Sequence, residues 1–253
     1  MNLDLRNKYI IVAGGLGGIG LQTVNDLIQE GAHVSILTQD LSKYEKHSEK
    51  LDCHLVNYES ENSIKDIFEL LFLKKEPTGF ISFVGTGRSS NEPFQEEKEL
   101  MKMWKINYFA NRLLVKYFVE ITTKKFNKNL DKKYFITLTS SIASDSFINC
   151  PTEYAAAKVA LVRLCKDLSW KLAPNYRVNC ISPGNIFFEG GTWDKIKKEG
   201  KVDIENLLET KVPARRLGTP ADISKLAVFL SSPLSSFING SCIKIDGGQS
   251  NHI

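Results

Sequence analysis

Tyr154 and Lys158 stand four residues apart in the run Tyr154-Ala155-Ala156-Ala157-Lys158. On a helix that spacing puts both side chains on one face. An ammonium beside a phenol stabilises the phenolate and lowers the tyrosine pKa, which suits a tyrosine that gives and takes a proton. The pair alone says little, because a chain with 8 tyrosines and 26 lysines is expected to hold roughly 0.8 such pairs by chance. Its position is more informative. It opens a segment of helical pattern, and Ser141 lies thirteen residues upstream, after the apolar run Tyr134–Leu138. The other chemically suggestive segment is Ala13-Gly14-Gly15-Leu16-Gly17-Gly18-Ile19-Gly20, where Gly14, Gly18 and Gly20 give G-x-x-x-G-x-G. Glycines there let a backbone turn tightly beneath a pyrophosphate, and the helix that follows offers free N–H groups and a positive dipole end.

The elements that must position these residues follow from hydropathy. Strands are predicted over Tyr9–Ala13, Val34–Leu37, Leu55–Val56, Phe80–Val84, Tyr134–Leu138, Val178–Ile181 and Ile243–Ile245. Helices are predicted over Ile19–Glu30, Ile64–Leu73 (with Ser63 and Asp66 as capping residues), Leu100–Ile121 and Glu153–Leu172. Another starts at Thr219-Pro220-Ala221-Asp222. Strand and helix alternate throughout. The fold class is therefore α/β: a Rossmann-type, doubly wound parallel sheet of about seven strands with helices on both faces. No repeat or linker interrupts the chain, so residues 1–253 read as a single dinucleotide-binding and catalytic domain. The segment Asn185–Val212 breaks the rhythm and is expected to be a substrate loop or lid.

Composition narrows the function classes. The net charge of +4 is spread out, and the densest basic stretch, Lys124–Lys133, reads as a solvated loop, so no nucleic-acid partner is expected. The five cysteines are odd in number and lack a C-x-x-C pair, and the four histidines do not cluster with them. Neither a metal site nor a disulfide framework is expected. The polar start of the chain is not a signal peptide, and no apolar run reaches the roughly 20 residues of a membrane span, so a cytoplasmic protein without a membrane partner is expected.

In order and spacing these pieces resemble the classical short-chain dehydrogenase/reductase family, and are similar to its 3-oxoacyl-[acyl-carrier-protein] reductase-like members. The resemblance runs from Gly14 to Gly248 and also takes in Asn107, Pro183-Gly184 and Asp246-Gly247-Gly248. It implies four catalytic residues. Tyr154 transfers the proton, Lys158 lowers its pKa and holds the nicotinamide ribose, Ser141 orients the carbonyl, and Asn107 holds a water in a proton relay. It places a dinucleotide against Gly14, Leu16, Gly17, Gly18, Ile19, Gly20, Thr38, Gln39, Asn57, Gly85, Pro183, Gly184 and Ile186, besides Tyr154 and Lys158. It also implies a homo-oligomer, tetramer or dimer, with the helices Leu100–Ile121 and Glu153–Leu172 at its interfaces.

The chain departs from the family in four places. Ala13 replaces a threonine, which removes one hydroxyl contact within the loop. Ser82-Phe83-Val84-Gly85 replaces Asn-Asn-Ala-Gly, so the asparagine that braces the sheet is missing. Phe188 replaces a threonine that touches the nicotinamide carboxamide. At the end of strand two, Thr38-Gln39 offers neither the acid that selects NAD nor the arginine that accommodates NADP. Without a carboxylate to repel a 2′-phosphate, NADP(H) is favoured over NAD(H), unless Asp40 turns inward.

The reaction expected is carbonyl–alcohol interconversion by hydride transfer. The substrate is a small carbonyl compound or alcohol, such as a 3-oxoacyl thioester or a modified sugar. Phe187, Phe188 and Trp193 favour a flat or apolar group and Arg88 an anionic one, while Glu189–Trp193 is similar to reductases of bacterial surface-sugar pathways. Two other readings are a dehydratase or epimerase with transient cofactor use, and a non-catalytic dinucleotide-binding sensor.

Overall fold

A computed structural model describes residues 2–44, 48–126, 132–200 and 202–250. Lys128 and Asp131 of the basic stretch lie outside them. Seven parallel strands form one sheet in the order β3-β2-β1-β4-β5-β6-β7. They are β1 (Tyr9–Ala13), β2 (His33–Thr38), β3 (Leu51–Leu55), β4 (Gly79–Ser82), β5 (Tyr134–Thr139), β6 (Tyr176–Pro183) and β7 (Cys242–Ile245). The order reverses between β1 and β4, so their carboxyl ends open a crevice at the middle of the sheet.

Alternation along each strand sorts side chains onto two faces. Ile11, Phe80 and Ile136 pack under α2 (Glu61–Lys74), α4 (Ala110–Phe126) and α5 (Thr152–Lys171). Ile10, Val12, Val34, Ile36, Ile81 and Phe135 pack under α1 (Gly18–Gln29) and α8 (Pro220–Ser231). Phe68, Phe72, Phe80 and Phe118 meet ring to ring in the first of these cores.

Three predicted elements need correction. The third strand runs over Leu51–Leu55, not Leu55–Val56, in register with β2 from Val34↔Leu51 to Thr38↔Leu55. It is an edge strand with a half-exposed pattern, so Asp52, Cys53 and His54 mask it in a hydropathy reading. Helix α2 starts at Glu61 and is capped by Ser60, whose hydroxyl accepts from Ser63 N at 3.3 Å. Ser63 Oγ accepts instead from Asn57 N at 2.9 Å. The long helix predicted over Leu100–Ile121 is three pieces: α3 (Glu97–Trp104), a π-helical segment Lys105–Phe109, and α4. The segment 185–212, expected to be a substrate loop or lid, holds α6 (Thr192–Glu199) and α7 (Ile204–Lys211). The start of α8 is as predicted: Thr219 N donates to Asp222 Oδ2 at 2.8 Å. Arg216 grips the same carboxylate with two bonds of 2.7 and 2.9 Å and holds it well below the usual carboxylate range.

Candidate active site

The glycine loop joins β1 to α1. Gly14 has φ +76, which only glycine adopts at little cost. Gly20 packs against it so closely that an added Cβ would lie 2.1 Å from the Gly14 oxygen. The helix start at Gly17 has no side-chain cap, so its first N–H groups are left for a ligand. A cleft of about 390 Å³ opens beside this loop, lined by Gly14, Leu16, Gly17, Thr38, Gln39, Lys43, Tyr58, Val84 and Gly85 among others. A glycine cradle, free helix N–H groups and a cleft ending at β2 fit a dinucleotide.

At the end of β2 the Thr38 hydroxyl is spent on the backbone of Asp40, donating to its oxygen at 3.0 Å and accepting from its nitrogen at 3.2 Å. The Asp40 carboxylate accepts from Ser42 N and Oγ, both at 2.8 Å, and these bonds lower its pKa. Asn57 uses its side chain locally, accepting from Glu59 N at 2.9 Å.

Helix α5 carries Tyr154 and Lys158 in its first two turns. The Ser141 hydroxyl lies beside Tyr154 and accepts from Ala143 N at 3.2 Å. Burial raises the Tyr154 pKa and the neighbouring Ser141 hydroxyl lowers it. Lys158 is 4% exposed; its Nζ donates to Thr139 O at 2.9 Å and lies 5.7 Å from the Tyr154 ring centroid. Burial pulls its pKa down to about 8. The sequence expectation was that Lys158 draws the tyrosine towards neutrality. In this geometry burial dominates both groups, leaving the phenol protonated and weakening the ammonium.

Gly85 sits between the catalytic candidates. A Cβ there would lie 2.7 Å from Asn107 Oδ1 and 2.9 Å from Lys158 Nζ. Asn107 is fully buried inside the π-helical segment, a geometry often found at functional sites. Its amide brackets the next residue: Oδ1 accepts from Thr86 N at 3.0 Å and Nδ2 donates to Thr86 O at 2.9 Å. Here the side chain braces the loop after β4.

The missing sheet-bracing asparagine is replaced by a pair that the sequence reading missed. Ser82 Oγ donates to Asn111 Oδ1 at 2.6 Å, and Asn111 Nδ2 donates to Val84 O at 3.1 Å. The available signal was Asn111 itself, a polar residue one turn after Asn107 on the same helical face. Lys43 and Tyr58 were missed as well, because neither belongs to a recognisable motif.

Pro183 ends β6, and Gly184 N donates to Ile245 O at 3.0 Å. Ile186 is buried and bridges to Gly218. The Phe188 ring lies directly on Gly18, where an added Cβ would be 2.6 Å from it. Arg88 Nη2 donates to Gly190 O at 2.9 Å and so ties the β4 loop to the segment that carries Phe188. Among the described residues no group of histidine, cysteine and carboxylate side chains could hold a metal ion. No described helix is long and apolar enough to cross a membrane.

A family model described as enoyl-(acyl carrier protein) reductase matches residues 14–250. This chain belongs to the short-chain dehydrogenase/reductase family. It is 27% identical over 256 residues to an isoepoxydon dehydrogenase of Penicillium expansum, covering 98% of this chain and 96% of that one. It is likewise 27% identical over 255 residues to a 3-oxoacyl-[acyl-carrier-protein] reductase of Rickettsia bellii, covering 98% of each. A short-chain dehydrogenase of Leptospira borgpetersenii, solved with bound NAD+, superposes with a TM-score of 0.82 at 28% identity, over 96% of this chain and 93% of that one. As a short-chain dehydrogenase/reductase, the protein is an NAD(P)(H)-dependent oxidoreductase that interconverts a carbonyl and a secondary alcohol.

Proposed function

We propose that Tyr154 is the proton donor and acceptor of this reductase, that Ser141 orients the substrate oxygen, and that NADP(H) is the preferred dinucleotide. The observation that carries the catalytic reading is the convergence of Ser141, Tyr154 and Lys158 at the carboxyl ends of β5 and β4, beside Gly85. A nicotinamide bound there supplies or accepts the hydride. The chain's own residues do the rest. The Tyr154 phenol, protonated at neutral pH, donates its proton to the carbonyl oxygen as that oxygen gains negative charge. Ser141 holds the oxygen in line through its hydroxyl. Lys158, anchored on Thr139 O, stabilises the phenolate that remains and is placed to hold a ribose hydroxyl. Asn107 keeps Gly85 and Thr86 where the backbone can pass close to the cofactor.

The cofactor preference rests on the end of β2. Thr38 supplies no carboxylate, Asp40 is engaged by Ser42, and Lys43 adds a cation to the cleft. These features favour a 2′-phosphate even though the Leptospira relative was solved with NAD+. Residues 1–253 act as one domain, and 185–212 serves as its lid, with Arg88 as the latch on Gly190. Phe187, Phe188, Trp193 and Arg88 suit a carbonyl compound with a flat or apolar part and an anionic group, for which a 3-oxoacyl thioester or a modified sugar qualifies. Met101, Phe109 and Val159 stay exposed on α3, the π segment and α5, which supports a homo-oligomer packed through those helices. The five free cysteines support a cytoplasmic location.

The test is a fluorescence titration with NADPH and NADH, followed by turnover of a carbonyl panel with the tighter cofactor. Wild type is expected to bind NADPH more tightly and to reduce part of the panel. Tyr154→Phe is expected to bind NADPH equally well and to lose about 10²–10⁴-fold in kcat. An unchanged kcat in that variant would remove Tyr154 from the mechanism, and tighter binding of NADH would reverse the cofactor assignment.

A further inference from the structure

We infer that Tyr58, through its hydroxyl, is a positioning residue for the dinucleotide, setting the distance between the glycine loop and the end of β2. The inference rests on the reading of the cleft as the dinucleotide site.

Tyr58 lies between β3 and α2 and is 4% exposed. Its hydroxyl donates to Leu37 O at 2.6 Å and accepts from Gly14 N at 3.0 Å. Gly14 N also donates to Leu37 O, at 2.9 Å. The three atoms close a triangle. One corner is the first residue of the glycine loop. The second is the residue before Thr38, where β2 meets the ribose end of the cleft. The third is the edge of the ring that lines the cleft itself. Burial pushes the phenol far above its ordinary pKa, so it keeps its proton and remains a donor at any working pH.

The hydroxyl is not needed to fill space, because phenylalanine would occupy the same volume. Its protein partners are two backbone atoms on two separate cofactor-facing segments. Gly20 packs closely on the Gly14 oxygen, where an added Cβ would lie 2.1 Å away. Ala13, next to it, has no hydroxyl with which to hold the loop. Tyr58 thus reaches across from the β3–α2 connection to fix the loop from below, and it does so without touching the reacting centre around Tyr154. The role therefore concerns binding of the dinucleotide and not turnover.

The experiment compares wild type, Tyr58→Phe and Tyr134→Phe. Tyr134 is a second buried tyrosine, at the start of β5, whose hydroxyl bonds to Glu76 at 2.6 Å away from the cleft. Losing one such hydrogen bond corresponds to about a two- to tenfold change in affinity. Tyr58→Phe is expected to raise the Kd and KM for NADPH by that factor, with kcat at saturating NADPH and the carbonyl KM within about twofold of wild type. Tyr134→Phe is expected to leave the NADPH Kd unchanged. An unchanged Kd in Tyr58→Phe, an equal rise in Tyr134→Phe, or a fall in kcat without a rise in KM would overturn the inference alone. Failure of wild type to bind either dinucleotide would overturn the underlying reading of the cleft, and this inference with it.

Discussion

At the scale of single residues, the proposed chemistry depends on two desolvated titratable groups pushed in opposite directions. Tyr154 is held protonated by burial, and Lys158 is brought down to about 8 by the same cause. The lysine effect has a stability consequence with a definite sign. Its folded pKa lies below the ordinary lysine value, so between about pH 8 and 10.4 the unfolded chain binds more protons than the native one, and stability from this group rises with pH. Below about pH 8 the full cost of burying the ammonium is present. Lys158→Met removes the titration. Urea midpoints at pH 7 and pH 9.5 should therefore show wild type gaining up to about 2 kcal/mol relative to the variant as pH rises. A gap that stays constant would mean that Lys158 is not desolvated as its surroundings indicate. Both residues were legible in the sequence through their spacing and their place after β5. The balance between them was not, because desolvation depends on what packs over α5, and no local motif encodes that. Tyr58 was illegible for a related reason: its partners Leu37 and Gly14 are 21 and 44 residues away in the chain.

At the scale of elements, the site is a set of loop starts held by helices, and the two critical glycines fail differently when a methyl is added. At Gly20 the methyl would meet the Gly14 backbone oxygen at 2.1 Å, which cannot move without reshaping the loop. At Gly85 it would meet the ends of Asn107 and Lys158, and a lysine ammonium can retreat. Gly20→Ala is therefore expected to lose NADPH binding by at least about tenfold, whereas Gly85→Ala keeps binding within a few-fold and loses about tenfold or more in kcat as Lys158 is displaced. Titration and steady-state kinetics on the two variants separate these outcomes; equal binding losses would contradict the assignment of Gly85 to the Lys158 side of the site. The glycine loop, β1, β5 and the cap at Thr219 could be read from the sequence because local spacing determines them. The elements that were misread are those that tertiary context decides. Edge strand β3 carries Asp52 and His54 because only one of its sides is paired. The helix through Asn107 takes a π turn, and no periodicity in Leu100–Ile121 reveals it.

At the scale of the whole molecule, the cleft proposed for the dinucleotide is lined by segments that follow β1, β2, β3 and β4, four neighbouring strands of one sheet. A ligand bridging such separated segments binds the native state and not the unfolded one, so its affinity appears as global stability. At a concentration of 100 times its Kd, the stabilisation is about 2.7 kcal/mol, which for a chain of this size corresponds to about 5–10 °C in Tm. With NADPH and NADH at equal concentration, the shift is expected to be larger for NADPH. Lys43 is exposed at the cleft, and an exposed ammonium facing a phosphate is screened by salt. The NADPH advantage should therefore shrink between low salt and about 0.5 M salt, while the shift common to both cofactors, which comes from backbone N–H groups and burial, changes less. Thermal unfolding followed at two salt concentrations with each dinucleotide reads all four values. A larger shift with NADH would transfer the selection to Asp40, freed from Ser42 to bond the ribose. A salt-independent NADPH advantage would instead place the 2′-phosphate on the neutral side chains Thr38 and Gln39.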